Sequence, residues 1–352
     1  MYLKTLLSDL NKSRASDLLL AVGNPPALRI NTFLQKQREE PLTEEEISEL
    51  IKEIISKEDL VVFKKEKELD TSYEDMHSRY RVNLHYQKGT IAATIRRVPN
   101  PPPSFNELNL PQKIKDLTQL ERGLVLVTGP TGCGKSTTQA AMIDHINATR
   151  SCHIITIEDP IEYMHTPKLS VVEQREVGID TKSFGEALKR VLRQIPDVIL
   201  VGEMRDLESI QMAVTAAETG HLVISTLHTQ DAVQSVDRMI DVFPPYQQLQ
   251  IRSMLSLCLE GIISQQLIPK ADNSGLAMAL EIMIATTAIR NIIRKGSTQD
   301  IYSMVDLGTQ YGMISMDVSL RDLVKKKRVT KDTAMVYAAN YERLEKMLRE
   351  LA

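Results

Sequence analysis

The chain has 352 residues, of which 42% are hydrophobic and 25% charged, and its formal net charge is −3. This composition is typical of a globular protein of two or three domains and excludes a collagen-like, low-complexity or disordered chain. The near balance of 43 basic and 46 acidic residues argues against a protein that coats nucleic acid. The three cysteines (Cys133, Cys152, Cys258) form no Cys-x-x-Cys pair, so neither a disulfide framework nor a thiolate zinc site is expected.

No stretch of the chain reaches the roughly 18 apolar residues that a membrane-spanning helix needs. The longest candidate, residues 276–289, carries Glu281 in its middle. The first residues have the spacing of an amphipathic helix and lack the basic start, apolar core and cleavage site of a signal peptide. We therefore expect a cytoplasmic protein that is peripheral to membranes and reaches them only through partners.

Residues 1–98 are predicted to form one α+β domain, because short apolar strands and amphipathic helices are mixed there. Its predicted elements, in chain order, are a helix at 3–12, strands at 16–22 and 27–30, a helix with a capping box at Thr43–Glu46, and a hairpin over 79–98 that turns at Lys88-Gly89. A linker is predicted at residues 99–104, where three successive prolines exclude a helix or a central strand.

From residue 105 the pattern changes to apolar strands that alternate with helices, which is typical of a parallel α/β sheet. We predict a core domain over 105–270 and a mostly helical portion over 271–352. Beyond Pro244-Pro245 only helices are expected, apart from a strand at 276–284. The buried strands of the core are predicted at 124–128, 154–157, 198–201 and 222–227.

The segment GPTGCGKS at 129–136 fits the pattern G-x-x-x-x-G-K-[ST] and lies between a predicted strand and a predicted helix, as a phosphate-binding loop requires. Glycines there let backbone N–H groups face phosphate oxygens, Lys135 reaches the outer phosphates, and the Ser136 hydroxyl can bind Mg²⁺. The alternative is a glycine-rich turn that contains Lys-Ser by coincidence. The predicted nucleotide-binding residues are Gly129, Pro130, Thr131, Gly132, Cys133, Gly134, Lys135, Ser136 and Thr137.

Acidic residues follow two of the predicted strands. Glu203 comes after the strand at 198–201, and Glu158, Asp159 and Glu162 come at the end of the strand at 154–157 or just after it. Because the carboxyl ends of parallel strands meet at one edge of a sheet, these carboxylates are candidates to hold Mg²⁺ through water and to orient an attacking water. An acidic surface loop is the structural alternative for each group.

Two histidines, His221 and His228, frame the predicted strand at 222–227. Their odd spacing places them on opposite faces of a regular strand, and a histidine at a strand end is more often structural. His228 is the better candidate because it lies at the carboxyl end of the strand. The remaining histidines have no metal-ligand spacing and are assigned no role; they are His77, His85, His145, His153 and His165.

Together these segments resemble the secretion ATPase superfamily, and within it the retraction ATPases of bacterial type IV pili, over nearly the whole chain. SDLLLAVGNPPALRI, TIEDPIEY, VILVGEMRD and AETGHLVISTLHT are similar to the family's N-terminal, Asp-box, Walker B and His-box segments. AIRNIIRK at 288–295 is similar to the AIRNLIRE motif of retraction-type members. The resemblance implies an α/β protein with a PAS-like N-terminal domain and a RecA-like P-loop ATPase core, assembled as a homohexamer with ATP between subunits.

The resemblance also implies roles for individual residues. Glu162 would activate the attacking water, and Glu203 would be the Walker B glutamate on the Mg²⁺ that Ser136 also binds. His221 and His228 would be the His-box pair. Together with Lys135, these would be the residues of the C-terminal domain that carry catalysis.

Arginines of the predicted N-terminal hairpin complete the implied site. Arg81 and Arg96 would reach a phosphate, as an arginine finger does in other NTPases. Arg79 and Arg97 are close enough in sequence to leave that assignment open. The chain departs from the family pattern at Cys133, where serine is usual, which places an oxidisable thiol beside the nucleotide.

The helix predicted at 288–295 carries Arg290 and Arg294 on one face, where like charges four residues apart repel each other. The acidic residue that ends the family motif is replaced by Lys295, so nothing nearby in sequence offsets the repulsion. We expect an acidic partner for this face on a neighbouring subunit or on the membrane platform. A solvated basic face is the alternative.

The expected function is ATP-driven retraction of type IV pili, which produces twitching motility. It would take place at the cytoplasmic face of the inner membrane, with a platform protein and a paralogous pilus ATPase as partners and without nucleic acid. Pilus-assembly and type II secretion ATPases are the alternative within the superfamily, but they usually carry a tetracysteine metal site and a further N-terminal domain. An adaptor that senses nucleotide without useful turnover is the alternative of another class.

Overall fold

The computed structural model describes residues 2–13, 15–30, 33–75 and 78–351, so His77 lies outside the described residues. The chain divides into two compact units. One is Met1–Pro101 together with Glu162–Met164, and the other is Pro102–Ile161 together with His165–Ala352. Each unit has its own sheet, and the α/β fold class is confirmed.

The first unit is an antiparallel sheet with helices. Its described strands follow the order β3-β2-β1-β6-β5-β4. Its helices are α1 (Tyr2–Lys12), α2 (Glu44–Ile54) and α3 (Lys57–Glu66), and its strands are β1 (Asp17–Ala21), β2 (Ala27–Ile30), β3 (Phe33–Lys36), β4 (Glu68–Glu74), β5 (Arg79–Gln87) and β6 (Thr90–Arg97).

Short-range signals position several of these elements. The Thr43 hydroxyl accepts a hydrogen bond from the Glu46 N–H, and the Glu46 carboxylate accepts one from the Thr43 N–H, so the predicted capping box is confirmed. The hairpin of β5 and β6 turns at Lys88 and Gly89, whose φ angles of 48° and 80° are in the left-handed region. The predicted hairpin is therefore confirmed as well.

A row of charged residues crosses the sheet of the first unit on neighbouring strands. Asp17 is paired in register with Arg29 on one side and Arg96 on the other, and Arg96 is paired with Arg81. The Asp17 side chain is only 5% exposed; it accepts a hydrogen bond of 2.7 Å from Arg96 Nε, and Arg29 Nε lies 3.7 Å away. On its other side, Arg81 is paired in register with the uncharged Ser72. The neighbouring Arg96 and Arg81 therefore make the β6–β5 end of the row positively charged.

The second unit is built on a seven-stranded sheet in the order β13-β12-β7-β11-β10-β8-β9, in which only the pairing of β12 with β13 is antiparallel. Its strands are β7 (Gly123–Thr128), β8 (His153–Glu158), β9 (Val171–Glu176), β10 (Val198–Val201), β11 (Leu222–Leu227), β12 (Leu259–Pro269) and β13 (Leu276–Ile284). The four buried strands expected from the apolar runs are confirmed.

Helices cover both faces of this sheet. Within the described ranges, no helix is both long enough and apolar enough to cross a bilayer. The helices of this unit are α4 (Gln112–Thr118), α5 (Lys135–Thr149), α6 (Phe184–Val191), α7 (Leu207–Glu218), α8 (Ala232–Asp241), α9 (Pro245–Cys258), α10 (Thr287–Lys295), α11 (Asp300–Leu307), α12 (Met316–Lys325), α13 (Lys331–Val336) and α14 (Tyr341–Arg349), with a 3-10 turn at Gly308–Tyr311. Helices α4 and α5 lie on one face and α6 to α9 on the other.

The expectation of helices alone beyond Pro244-Pro245, apart from a strand at 276–284, is wrong for β12. This strand runs parallel to β7 and antiparallel to β13, so it is an interior strand of the sheet, next to the edge strand β13. Periodicity does not distinguish a short buried strand from a buried helix, and the partner β7 lies far away in sequence. The hairpin of β12 and β13 also spans the domain boundary predicted at residue 270.

The buried Asp17 gives a stability prediction that separates the two candidate finger arginines. Arg96→Ala should lower the free energy of unfolding of the first unit by about 2 kcal/mol, because the buried Asp17 carboxylate then keeps the Ser16 hydroxyl but has the more distant Arg29 as its cationic partner. Arg81→Ala is the matched control and should change it by less than about 0.5 kcal/mol. Urea unfolding of the two variants measures the difference, and equal losses would contradict the role assigned to Asp17.

Candidate nucleotide site

Three strands of the second sheet end side by side and bring candidate residues to one edge. Strand β11 pairs in parallel with β7 on one side and with β10 on the other. The loop at 129–134 follows β7, Glu203 follows β10 and His228 follows β11. These groups therefore emerge at the carboxyl edge of the sheet, where ligands of α/β proteins bind.

The segment after β7 has the backbone geometry of an anion-binding loop. Gly129, Gly132 and Gly134 have φ angles of 140°, 79° and 88°, which glycine adopts without steric cost. Helix α5 then begins at Lys135, and the first N–H groups of a helix have no partner within it. Their partial positive charge points towards the loop, so this segment can hold phosphate oxygens.

The Lys135 ammonium is held inside the loop. It is only 8% exposed and donates hydrogen bonds to the carbonyl oxygens of Gly129 at 2.8 Å and Pro130 at 3.0 Å. Ser136 and Thr137, which follow it in the first turn of α5, are half-buried. An arriving phosphate would offer the ammonium a charged acceptor, which makes a stronger hydrogen bond than a carbonyl does.

Cys133, which departs from the family pattern, is buried in the loop and only 4% exposed. Burial raises the pKa of its thiol, although the Lys135 charge opposes that shift. Because the thiolate is the reactive form of cysteine, this residue behaves as a small apolar side chain in the loop. The oxidation risk that the sequence suggests is correspondingly reduced.

The Glu203 carboxylate contacts the side chains of Arg205 and His228. Its Oε1 is 2.7 Å from Arg205 Nε, its Oε2 is 3.3 Å from His228 Nε2, and its side chain is 17% exposed. Arg205 and His228 line a recess of about 500 Å³ together with Thr131 of the loop and Arg238. The structure thus brings Glu203 and His228 together beside the loop.

Sequence reasoning missed three residues at this edge: Arg205, Arg238 and Gln265. A signal existed for Arg205, since a basic residue stands two positions after the candidate Glu203. Gln265 lies on β12 under the loop, and Arg238 comes from helix α8. Neither has a sequence signal that links it to the loop.

His221 lies at the amino end of β11, at the opposite end of the strand from His228. Its ring nitrogen Nδ1 is 3.0 Å from the carbonyl oxygen of Ala216 in helix α7. A strand of six residues spans roughly 20 Å, so the structure does not bring His221 to the loop of its own chain. The contact with Ala216 fits the alternative interpretation of His221 as a structural histidine at a strand end.

The remaining predicted residues are placed as follows. Glu162 is exposed and belongs to the short segment that is grouped with the first unit. Arg81 and Arg96 lie on β5 and β6 of the first unit. Glu158, at the end of β8, accepts a hydrogen bond of 2.6 Å from the Thr156 hydroxyl. The roles assigned to these residues stay predictions.

The donor atoms at the edge suit Mg²⁺. A serine hydroxyl from Ser136 and a carboxylate from Glu203 are hard oxygen ligands of the kind that this ion prefers. Within the described part of the chain, no three His, Cys, Asp or Glu side chains gather into an ion cage. Magnesium typically takes one or two protein ligands and completes its shell with substrate phosphates and water, which this arrangement fits.

The expectation that the basic face of α10 needs an acidic partner from another molecule is wrong for Arg290. Its Nη2 is 2.8 Å from Glu260 Oε1, and its Nη1 donates to the carbonyl oxygens of Ser256 and Leu257 at the end of α9. Arg294 donates to Asn291. The neutralising acid is thus 30 residues away in the same chain (290 − 260), too far for the sequence pattern to indicate it.

A second, larger cavity of about 840 Å³ is lined by Pro130 of the loop and by the buried Glu281. The Oε1 of this carboxyl accepts a hydrogen bond of 2.9 Å from the N–H of Ala232, at the start of α8. Burial raises the pKa of Glu281 to about 7, and the charges of Asp231 and Asp306 add to the shift. Near neutral pH, this carboxyl is therefore partly protonated.

Comparison with known proteins connects this geometry to a family. Residues 104–347 match the model of the family described as Type II/IV secretion system protein. The chain is 45% identical over 335 residues to the type IV pilus retractation ATPase PilT of Pseudomonas aeruginosa, covering 95% of this chain and 97% of the relative. It is 36% identical over 350 residues to the type IV pilus ATPase PilU of the same organism, covering 99% and 92%.

A solved structure is similar over the same extent. The crystal structure of the pilus retraction motor PilT with bound ADP superposes with a TM-score of 0.90 at 45% identity, and the match covers 97% of this chain and 98% of that one. The similarity thus includes both units of the chain.

The raised pKa of Glu281 predicts a pH dependence of stability. In the unfolded chain a glutamate loses its proton near pH ~4.3, whereas the folded protein keeps it until about pH 7. Burying the ionised carboxylate destabilises the folded protein. This destabilisation is absent below about pH 4.3, grows between that pH and about pH 7, and is complete above about pH 7. Glu281→Gln has no charge to bury, so it should gain stability relative to the wild type as the pH rises from 5 to 8.

Chemical unfolding at several pH values measures this difference. Glu260→Gln is a suitable control, because its carboxylate is more exposed and is paired with Arg290. A difference between Glu281→Gln and the wild type that does not change between pH 5 and 8 would contradict the shifted pKa.

Proposed function

The chain belongs to the Type II/IV secretion system protein family, and on that premise we propose that it is an ATP-hydrolysing motor that powers retraction of type IV pili and thereby twitching motility. The proposal rests on the loop at 129–136. Its glycines have positive φ angles and helix α5 follows it directly, so its backbone N–H groups are suited to bind phosphate. The similarity to PilT over nearly the whole of both chains supports retraction as the work that is done.

In the proposed reaction, the loop amides and Lys135 bind the phosphates of ATP. Magnesium, which Ser136 and Glu203 would hold, supplies charge neutralisation on the phosphates. Glu162 orients the attacking water as a general base. His228 lies against Glu203 at 3.3 Å, so it can stabilise the position of that carboxylate. The assignment of His221 to the His-box pair rests only on the family resemblance.

Arginines of the first unit complete this mechanism. Among the described residues Arg81 lies opposite another arginine and has serine on its other side, so its charge is not neutralised by its strand partners. Arg96 is engaged with Asp17 at 2.7 Å. Arg81 is therefore the better candidate to reach a phosphate, whereas the contact of Arg96 with Asp17 gives Arg96 a structural role in the sheet.

The proposed motor is a homohexamer that binds nucleotide between subunits, with residues 1–98 as a PAS-like domain and 99–104 as a linker. Its RecA-like core begins at residue 105 and extends past the boundary predicted at 270 to include the β12–β13 hairpin, and a mostly helical C-terminal portion follows. It acts in the cytoplasm at the inner membrane, against a platform protein at the pilus base and together with a paralogous pilus ATPase. No nucleic acid takes part. ATP-driven closure of one domain onto its neighbour is the step that does mechanical work.

Deletion of the gene tests the direction of the work. Cells without the protein should carry excess surface pili and should not twitch, and Lys135→Ala should fail to restore motility while leaving the protein folded. Lys52→Ala, which removes a positive charge from an exposed position of helix α2, is the matched control and should restore it. Loss of surface pili in the deletion strain would instead indicate a pilus-assembly ATPase.

The activity itself is tested on purified protein. Lys135→Ala should reduce steady-state ATP turnover at least roughly a hundredfold, because the lysine acts directly on the charge of the transferred phosphate. If the wild-type protein binds ATP but does not hydrolyse it, the chain is a nucleotide-sensing adaptor and the motor proposal fails.

The two acidic residues should have different effects on metal dependence. Glu162→Gln should bind Mg-ATP with near wild-type affinity and lose turnover, because it removes only the base. Glu203→Gln should in addition shift the Mg²⁺ concentration at half-maximal nucleotide binding upwards, because it removes a metal-side carboxylate. Mg²⁺ titrations of the two variants make the comparison, and superimposable curves would reject this division of roles.

A further inference from the structure

Gln265 of β12 bridges two parts of the phosphate loop from below. Its side chain is fully buried, and its Nε2 donates a hydrogen bond of 2.6 Å to the carbonyl oxygen of Cys133. Its Oε1 accepts one of 2.9 Å from the Thr138 hydroxyl. A single amide thus ties the last peptide of the loop to the first turn of α5.

The contact with Cys133 determines the direction of an N–H group. In a planar trans peptide, the carbonyl of one residue and the N–H of the next point in opposite directions. Because the Cys133 carbonyl points at Gln265, the N–H of Gly134 points away from β12. Gly134 has a φ of 88°, and glycine readily adopts other conformations, so its own backbone preference does not determine this orientation.

Both ends of the loop lie against the same residue. A Cβ at Gly129 would be 2.3 Å from the Gln265 carbonyl oxygen, and a Cβ at Gly134 would be 3.3 Å from Gln265 Nε2. One residue earlier on each strand, the Thr128 hydroxyl donates to the Ser264 hydroxyl at 2.9 Å. The loop therefore rests on β12 at its start and at its end.

We propose that Gln265 is a positioning residue that orients the Gly134 amide for the phosphates of a nucleoside diphosphate or triphosphate. The inference rests on the proposed nucleotide binding and adds to it a residue from a strand outside the loop. Gln265 acts through Cys133 and Gly134 and does not touch the ligand. Of the uncharged side chains of this length, only glutamine offers both a donor to the carbonyl and an acceptor for the hydroxyl.

Two substitutions separate positioning from simple support. Gln265→Met keeps the volume but loses both hydrogen bonds, whereas Thr138→Val loses only the bond to the helix. Both should lower the melting temperature by a few degrees, since each removes a buried hydrogen bond. Gln265→Met should weaken ADP binding at least roughly tenfold, and Thr138→Val by less than about threefold. Isothermal titration with ADP measures the affinities.

Gln265→Glu supplies a second test that also serves if Gln265→Met does not fold. A protonated carboxyl can donate to the Cys133 carbonyl as the amide does, but an ionised one cannot. The affinity of this variant for ADP, relative to the wild type at the same pH, should therefore improve as the pH falls from 8 to 5.5. Thr138→Val should show no such relative change.

The outcomes separate this inference from the function it rests on. Equal ADP affinities of Gln265→Met and Thr138→Val, or a ratio of Gln265→Glu to wild type that does not change with pH, would overturn the positioning role while leaving nucleotide binding intact. Failure of the wild-type protein itself to bind ADP would overturn the proposed function and this inference with it.

Discussion

Strands β7 and β12 come so close at residue 129 that a side chain there would collide with the Gln265 carbonyl, at 2.3 Å from a Cβ. Only glycine fits, and the chain leaves β7 with a φ of 140°. From that point the loop curves back far enough for the Lys135 ammonium to reach the Gly129 carbonyl at 2.8 Å. Helix α5 begins at this lysine, so the amide dipoles of its first turn point towards the loop.

The groups at the carboxyl edge are paired with each other. Lys135 is bound to loop carbonyls, and Glu203 lies between Arg205 and His228. Buried or half-buried charges are costly unless they are paired, so these contacts stabilise the edge on its own. Under the proposed function, a bound nucleotide would replace these contacts, and its binding energy would drive that exchange.

Carboxylates elsewhere tie distant elements together. Asp17 joins β1 to the arginines of β2 and β6, Glu260 joins the start of β12 to α10, and Glu281 of β13 holds the first N–H of α8. Each is at least half-buried, and each uses a partner that comes from another strand or helix. The basic face of α10 is accordingly part of the fold of its own unit through Arg290, which leaves Arg294 as its more exposed charge.

The sequence by itself determined the features whose causes are local. The capping box at Thr43, the turn at Lys88-Gly89, the phosphate-loop pattern and the apolar strands of the core depend on residues within a few positions of each other, and the family resemblance indicated how they combine. Only the tertiary structure decided that β12 is an interior strand of the sheet, that Glu260 neutralises Arg290, and that Gln265 supports the loop. Gln265 and Cys133 are 132 residues apart, and spacing along the chain carries no information about which distant side chains a sheet brings into contact.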